Sequence, residues 1–112
     1  MIYAIHEHEL RPGIDVAQYE SDVAATLQQI KVPGLLHAIH LKGFGGERKN
    51  KFAVLWMFES AEALTLNFGT PDARKFPPDW LYYEKVILAQ YLDRDPDTID
   101  YTDYAIVREF NF

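Results

Sequence analysis

The run HEHE at positions 6–9 brings together four side chains that could bind a metal ion or move protons. Imidazole nitrogens and carboxylate oxygens are common ligands of zinc, and both groups serve as general acids and bases. Residues 2–10 are rich in β-branched and aromatic side chains and end at the turn RPG, so we predict a strand. Because neighbouring side chains on a strand point to opposite faces, the run is two pairs, with the histidines on one face and the glutamates on the other.

The histidine pair leaves three interpretations open. A metal site would need a third ligand on the same face, and only one of His37 and His40 can point that way, because they lie on opposite faces of another strand. In a second interpretation His6 is a general base or polar anchor in a small-molecule pocket, and His6 is therefore our catalytic candidate. In a third, His6 donates a hydrogen bond within a pocket wall and His8 is half exposed. We expect no metal and no cofactor.

Composition limits the class of protein. With 112 residues, 48% of them hydrophobic, the chain is predicted to form one domain over residues 1–112. The net charge of −6 and the pI near 5.1 disfavour nucleic acid or an anionic membrane as a partner. The absence of cysteine excludes disulfides and thiolate catalysis. We expect no signal peptide, and no apolar run is long enough to span a bilayer, so we predict a cytoplasmic protein.

Hydrophobic periodicity predicts the order strand, helix, strand, strand, helix, strand. The predicted strands cover 2–10, 35–42, 51–59 and 101–110; the helices begin after Asp15 and Ser60, with a longer apolar helix over 80–92 capped by Asp79. This is the split βαβ, ferredoxin-like arrangement of the α+β class, with helices on one face of a four-stranded antiparallel sheet. Arg108 on the last strand is expected to pair with Glu7 or Glu9 on the first.

The predicted sheet is apolar on both faces, although helices cover only one. In the third strand, residues 52, 54, 56 and 58 and residues 53, 55 and 57 are all apolar. A second copy of the chain is the simplest cover for the other face, so we predict a homodimer. The helix 80–92 is apolar around most of its circumference and is expected to contact the partner, with Tyr82 and Tyr91 at the rim.

Two stretches of the sequence carry a family resemblance. The segment Pro33-Gly34-Leu35 and the stretch GERKNKFAVLWMFES at 46–60 resemble the dimeric α/β-barrel superfamily, which includes antibiotic-biosynthesis-monooxygenase-like proteins and haem-degrading monooxygenases. The resemblance covers residues 1–68 and, more loosely, the last strand. It implies that two sheets face each other in a barrel and that each subunit holds a ligand pocket between its sheet and its helices.

Members of that superfamily that degrade haem use an asparagine, a tryptophan and a histidine at the positions that His6, Phe58 and Phe68 occupy here. All three positions differ, so haem degradation is not expected. An apolar pocket for a flat ligand is predicted instead. Its candidate lining residues are Tyr19, Trp56, Phe58, Phe68, Trp80 and Tyr83. Two of these also have a structural explanation, since Trp56 suits a plain core position and the Tyr19 hydroxyl can bond a backbone carbonyl.

Two functions are therefore open. In the first, the protein is a homodimer that binds a small apolar or aromatic molecule and acts as a cofactor-independent monooxygenase or isomerase on an aromatic or polyketide-like substrate. In the second, it is a ligand-binding or stress or scaffold dimer without enzymatic activity. A solvent-connected cavity that touches His6 would favour the enzyme, and a filled core there would favour the second function.

Overall fold

The protein folds as a four-stranded antiparallel sheet with helices packed on one face. The computed structural model describes residues 1–112, and its main elements are β1 Ile2–His8, α1 Val16–Leu27, β2 Leu35–Lys42, β3 Phe52–Phe58, α2 Ala61–Phe68, β4 Gly69–Thr70, β5 Ala73–Arg74, α3 Pro78–Tyr82 and β6 Asp100–Ala105. The strands of the main sheet lie in the order β2-β3-β1-β6. This confirms the predicted α+β ferredoxin-like subunit. No helix is both long and apolar enough to cross a membrane.

The first two predicted helix starts are formed by side-chain caps. The carboxylate of Asp15 accepts a hydrogen bond from the Gln18 amide at 3.2 Å, and the Ser60 hydroxyl accepts one from the Ala63 amide at 3.0 Å. These bonds satisfy amide groups that have no partner in the first turn of a helix. Within α2, Ala63 is buried and Ala61 is exposed.

The core lies between the helices and the inner face of the sheet, which we define as the face carrying Ala4 and Trp56. Alternate residues of β3 are buried on this side, and Trp56 is fully buried. From α1, Tyr19 and Val23 pack onto it, four residues apart on one helical face. The prediction that alternate residues of β3 face the helices therefore agrees with the structure.

A short hairpin, β4–β5, follows α2 and was not predicted. Gly69 ends the helix with a φ of 71°, and a Cβ atom there would lie 2.1 Å from the carbonyl oxygen of Ala73. Only glycine combines the left-handed backbone with this close approach. The chain therefore folds back at once, and the hairpin forms one side of the cavity described below.

The third helical region differs from the single helix predicted over 80–92. It runs as the α-helical turn α3, then a π-helical turn over Tyr83–Ile87, then a 3-10 turn over Leu88–Gln90. Tyr83 and Leu88 are both buried, and their five-residue spacing matches the hydrogen-bond spacing of a π turn rather than that of an α-helix. The N-cap is Pro77 and not Asp79.

Two expectations about this region fare differently. Tyr91 was expected at a dimer rim but is buried in its own subunit, where its hydroxyl donates to the Asp22 carboxylate. Tyr82 is 53% exposed, and Leu81 and Val86 are exposed beside it. Contact between this helix and a partner subunit stays a prediction.

The last strand is shorter than predicted because its partner ends. Residue Ile2, the first of β1, lies opposite Ala105, so the chain beyond that point has no neighbouring strand to pair with. Arg108 consequently lies outside the sheet, and the expected ion pair with Glu7 or Glu9 is wrong. These carboxylates pair instead with cations that precede β3, Arg48 at 2.6 Å and Lys51 at 2.9 Å.

The outer face of the sheet, which carries Leu55 and Ile5, is apolar and has no helix on it. Aligned residues Ile39, Leu55 and Ile5 form one row across three strands, and Met57, Tyr3 and Tyr104 form a second. Ile39 and Tyr104 are exposed in the subunit. An apolar face of this kind usually marks an interaction site.

Candidate small-molecule cavity

A cavity of about 420 Å³ opens to solvent between the inner face of the sheet and the helices. Its walls come from β1, β3 and β6 of the sheet, from α2 and the β4–β5 hairpin, and from the third helical region with the 3-10 turn Pro96–Thr98 that follows it. Its volume lies in the range of small-molecule sites, and its position between sheet and helices is the one that the family resemblance implied.

His6 lies on the wall of this cavity. It is aligned with Val54 on β3 and Tyr101 on β6, and its ring centroid lies 5.5 Å from that of Trp80 and 5.7 Å from that of Tyr101. Burial lowers the pKa of the imidazole from 6.5 to about 4, and no hydrogen bond opposes this effect. At neutral pH His6 is therefore an uncharged ring whose nitrogens are available to a ligand.

The aromatic residues predicted to line the pocket divide into two groups. Phe58, Phe68 and Trp80 line the cavity, and the rings of Phe58 and Phe68 meet edge to face. Trp56 and Tyr83 do not line it. They form a layer behind the wall.

Trp56 is the centre of that layer. It is fully buried, and its ring centroid lies 4.4 Å from that of Trp80 and 6.2 Å from that of His6. Its indole Nε1 has no hydrogen-bond acceptor in the protein. The core interpretation of Trp56 thus agrees with the structure, and the residue supports the cavity wall rather than forming it.

Tyr19 lies away from the cavity and belongs to a separate series of hydrogen-bonded polar side chains. Its hydroxyl is hydrogen bonded to Nε2 of His8, and Nε2 of His40 lies 2.8 Å from the same oxygen. His8 is buried, so the expectation that it is half exposed is wrong. The Tyr19 hydroxyl bonds two imidazoles rather than the backbone carbonyl that we had considered.

The donor and acceptor roles in the hydrogen-bonded series His8–Tyr19–His40 depend on which groups carry protons. Burial lowers the pKa of His8 to about 4, lowers that of His40, and raises that of Tyr19. One hydroxyl carries one proton, so it donates to one imidazole and accepts from the N–H of the other.

The structure contains no group of three or more His, Asp or Glu side chains arranged to hold a metal ion.

Glu84 faces the cavity and was missed in the sequence analysis. It belongs to the π-helical turn, between the buried Tyr83 and the exposed Lys85. Burial raises the pKa of the Glu84 carboxyl from 4.5 to about 7, and a hydrogen bond with Trp80 and the charge of Lys85 only partly oppose this. In the sequence, Glu84 stands out as a single acid within an apolar helix, which could have marked it as a site residue. An α-helical register, however, would not have identified the face on which it lies.

Three polar groups at the β6 side of the cavity were missed as well. The Arg74 guanidinium donates to the Tyr101 hydroxyl at 2.8 Å and lies 5.9 Å from the centre of that ring. Burial raises the pKa of Asp103, and the charge of Arg74 opposes the rise. Tyr101 and Asp103 lie opposite His6 and Ala4 of β1. Their alternation is visible in the sequence, but the pairing register is not.

Comparison with known proteins supports the fold. A dabb family protein with a ferredoxin-like fold from Mesorhizobium loti superposes with a TM-score of 0.65 at 14% identity, covering 96% of this chain and 97% of that chain. A dimeric ferredoxin-like protein of unknown function from Jannaschia sp. CCS1 gives 0.65 at 19% identity, with 94% and 98% covered. A cofactor-independent oxygenase from Streptomyces nogalater gives 0.59 at 13% identity, with 96% and 94% covered.

These similarities support the fold only. No family model matches the sequence, and no curated protein matches it. The structural neighbours cover nearly the whole chain at low identity, which shows the ferredoxin-like fold. The ferredoxin-like fold predicted from the sequence is confirmed.

Proposed function

We propose that the protein is a homodimer that binds a flat aromatic or polyketide-like molecule and acts on it as a cofactor-independent monooxygenase or isomerase. The observation that carries this proposal is the solvent-connected cavity of about 420 Å³ that touches His6. A filled core at His6 would have favoured the alternative, a ligand-binding or stress or scaffold dimer without enzymatic activity.

The composition of the cavity wall supports a flat, mostly apolar ligand. The rings of Phe58, Phe68 and Trp80 provide aromatic surface, on which a planar molecule can stack or pack edge to face. His6 and Arg74 provide polar groups at two places on the wall. A few polar groups in an apolar cavity fix the orientation of a ligand and select for its substituents.

Chemistry without a cofactor is supported by the ionisable groups and by one neighbour. The Streptomyces nogalater protein is described as a cofactor-independent oxygenase. Such a reaction, like an isomerisation, requires the site to move a proton. Because its pKa is about 4, His6 is a weak base, and we assign it the role of a neutral hydrogen-bonding anchor.

Dimerisation is supported by the outer face of the sheet. The two apolar rows that contain Leu55 and Met57 are left uncovered by the chain's own helices. The Jannaschia protein, which shares the fold over almost its whole length, is described as dimeric. A second copy placed sheet to sheet would bury these rows and leave the two cavities on the helical sides.

The low basicity of His6 also favours a second candidate, a non-catalytic dimer that binds the same class of ligand. Both candidates require the cavity to be occupied by a small planar molecule. Only the enzyme requires a proton-transfer group within it.

Binding of 2-naphthol, followed by its fluorescence, tests the proposal. The variant Thr65→Trp places a large ring at the cavity wall from α2, and Leu66→Trp, at the exposed next position, is the matched control. We expect wild type and Leu66→Trp to bind equally and Thr65→Trp to lose binding. Equal binding by all three proteins, or none by wild type, would refute the cavity as a ligand site.

A further inference from the structure

We infer that Glu84 is the proton acceptor for a carbon acid bound in the cavity. The inference rests on the proposed function and names the group that would perform its chemistry. The ligand class is a planar aromatic ketone with an activated C–H bond next to the carbonyl. Glu84 was not among the residues that the sequence predicted for the site.

The geometry of the third helical region places the carboxyl there. The π-helical turn over Tyr83–Ile87 buries Tyr83 and Leu88 in the core and leaves Glu84 on the cavity wall. Single π-helical turns occur frequently at functional sites, because they re-aim a side chain at the expense of regular hydrogen bonding. Trp80, which packs against His6, lies on the same cavity wall as Glu84, so the acid and the anchor face one cavity.

The electrostatic surroundings suit a proton acceptor at neutral pH. Burial is the main cause of the raised pKa of Glu84, which lies at about 7, and Lys85 lowers it while Asp97 raises it. An acid–base group is most effective when its pKa is close to the working pH. The other titratable groups on the cavity wall are His6, Arg74, Asp97, Tyr101 and Asp103.

Of these groups, the imidazole and the two carboxyls suit the role less well. His6, with a pKa of about 4, is a much weaker base. The exposed carboxylate of Asp97 is paired with the Lys85 ammonium. Asp103 lies on the exposed edge strand β6 under the influence of Arg74. Glu84 is the carboxyl that combines burial, contact with the cavity and freedom from an ion pair.

The proposed step is a proton transfer that needs no oxidant. The ionised Glu84 carboxylate takes the proton from the carbon next to the carbonyl, and the electron pair of that C–H bond stays on the ligand as an enolate. The resulting carboxylic acid then returns a proton to the same carbon, to another carbon of the ligand, or to solvent. Return from solvent deuterium exchanges the C–H hydrogen without changing the ligand otherwise.

Hydrogen–deuterium exchange at C1 of 2-tetralone, followed by proton NMR in D₂O under argon, tests the inference. We expect wild type to accelerate exchange and Glu84→Gln to lose about 100-fold or more of that acceleration. Glu47→Gln, which removes an exposed carboxyl that does not line the cavity, is the control and should retain it. Binding of 2-naphthol is measured in parallel for all three proteins and should be unchanged.

The outcomes separate this inference from the proposed function. Unchanged exchange in Glu84→Gln, an equal loss in Glu47→Gln, or no exchange by a wild type that binds 2-naphthol would each overturn the role of Glu84 and leave the cavity as a ligand site. Failure of wild type to bind 2-naphthol would overturn both. If Glu84→Gln does not fold, the wild-type profile decides, because half-maximal exchange near pH 7 supports Glu84 and a midpoint near 4 assigns the step to His6.

Discussion

The imidazole of His6 and the indole of Trp80 meet edge to face, with ring centroids 5.5 Å apart and planes at 80°. The contact joins the first strand to the third helical region across the cavity wall. Trp56 supports both rings from behind. A ligand that touches His6 will therefore also meet the Trp80 ring, and both are held by a packed layer that does not itself reach the cavity.

Trp56 and His6 should differ sharply in their importance for stability. Trp56→Ala removes a fully buried ring and should lower the free energy of unfolding by about 3–5 kcal/mol. His6→Ala enlarges a cavity that already reaches solvent and should cost about 1 kcal/mol, the value of one or two aromatic contacts. Urea denaturation measures both. Equal losses would mean that His6 is a core residue, and its assignment as a ligand anchor would be wrong.

Removal of the Tyr19 hydroxyl should expose the cost of the His8–Tyr19–His40 series. Tyr19→Phe leaves Nε2 of both imidazoles without this partner, and we expect a loss of about 1–3 kcal/mol in the free energy of unfolding. Tyr82→Phe, which removes an exposed hydroxyl, is the control. A loss in Tyr19→Phe no larger than in the control would show that the series contributes nothing to stability.

The raised pKa of Glu84 makes stability depend on pH in a defined direction. Because the folded protein holds this proton up to a pH of about 7 and the unfolded chain only to about 4.5, the stabilisation is complete below 4.5 and is lost as the pH rises through 7. Glu84→Gln removes this loss, so the variant should become more stable relative to wild type as the pH rises from 4.5 to 7. Its melting temperature should rise relative to that of wild type, and the change in the free energy of unfolding has a limit of about 3 kcal/mol. The lowered pKa values of His6 and His8 make stability rise with pH instead. Both histidines are present in wild type and in Glu84→Gln, so they do not affect the difference between the two proteins.

Differential scanning calorimetry across that range measures the effect, with Glu47→Gln in an exposed loop as the matched control. A difference between Glu84→Gln and wild type that stays constant from pH 4.5 to 7 would show that the pKa of Glu84 is not raised by folding.

Charge on the outer face of the sheet should prevent dimerisation. Leu55 lies between Ile39 and Ile5 in the central apolar row, so Leu55→Glu would place a carboxylate inside the proposed interface. Sedimentation should give a dimer for wild type and a 13.0 kDa monomer for this variant. Gln28→Glu, on the helical side, is the control. A Leu55→Glu protein that remains dimeric would place the interface elsewhere.

Tyr82→Glu tests separately whether the third helical region adds to that interface. Tyr82 is exposed beside Leu81 and Val86, and together they form an apolar surface without a partner in the subunit. We expect a weaker dimer across a dilution series. An unchanged dissociation constant would mean that this surface faces solvent.

Local patterns predicted the elements but not the long-range pairings of the site. Asp15 and Ser60 cap their helices because a cap depends only on residues three positions away. The alternation that placed His6 and Phe58 on the helical side is equally local. In contrast, the partners of the Tyr19 hydroxyl lie 11 and 21 residues away in the chain, and no periodicity identifies them.

Glu84 and Tyr101 were missed for related reasons. The π-helical turn that aims Glu84 at the cavity arises because two large side chains five residues apart both enter the core, which is a tertiary effect. Tyr101 faces His6 only in the observed register of β6 against β1, and a shift of one residue would turn it to the other face. The hairpin after Gly69 depends on contact with Ala73, which likewise becomes visible only in the folded chain.

The most direct test of the account is NMR mapping of 2-naphthol on the labelled wild-type protein. If the cavity is the ligand site, increasing 2-naphthol will shift the signals of His6 and Thr65 with a single saturating dissociation constant, while those of Ile39 and Leu55 on the outer face stay unchanged. Shifts confined to Ile39 and Leu55, or none at His6 at saturating ligand, would contradict the assignment of this cavity as the functional site.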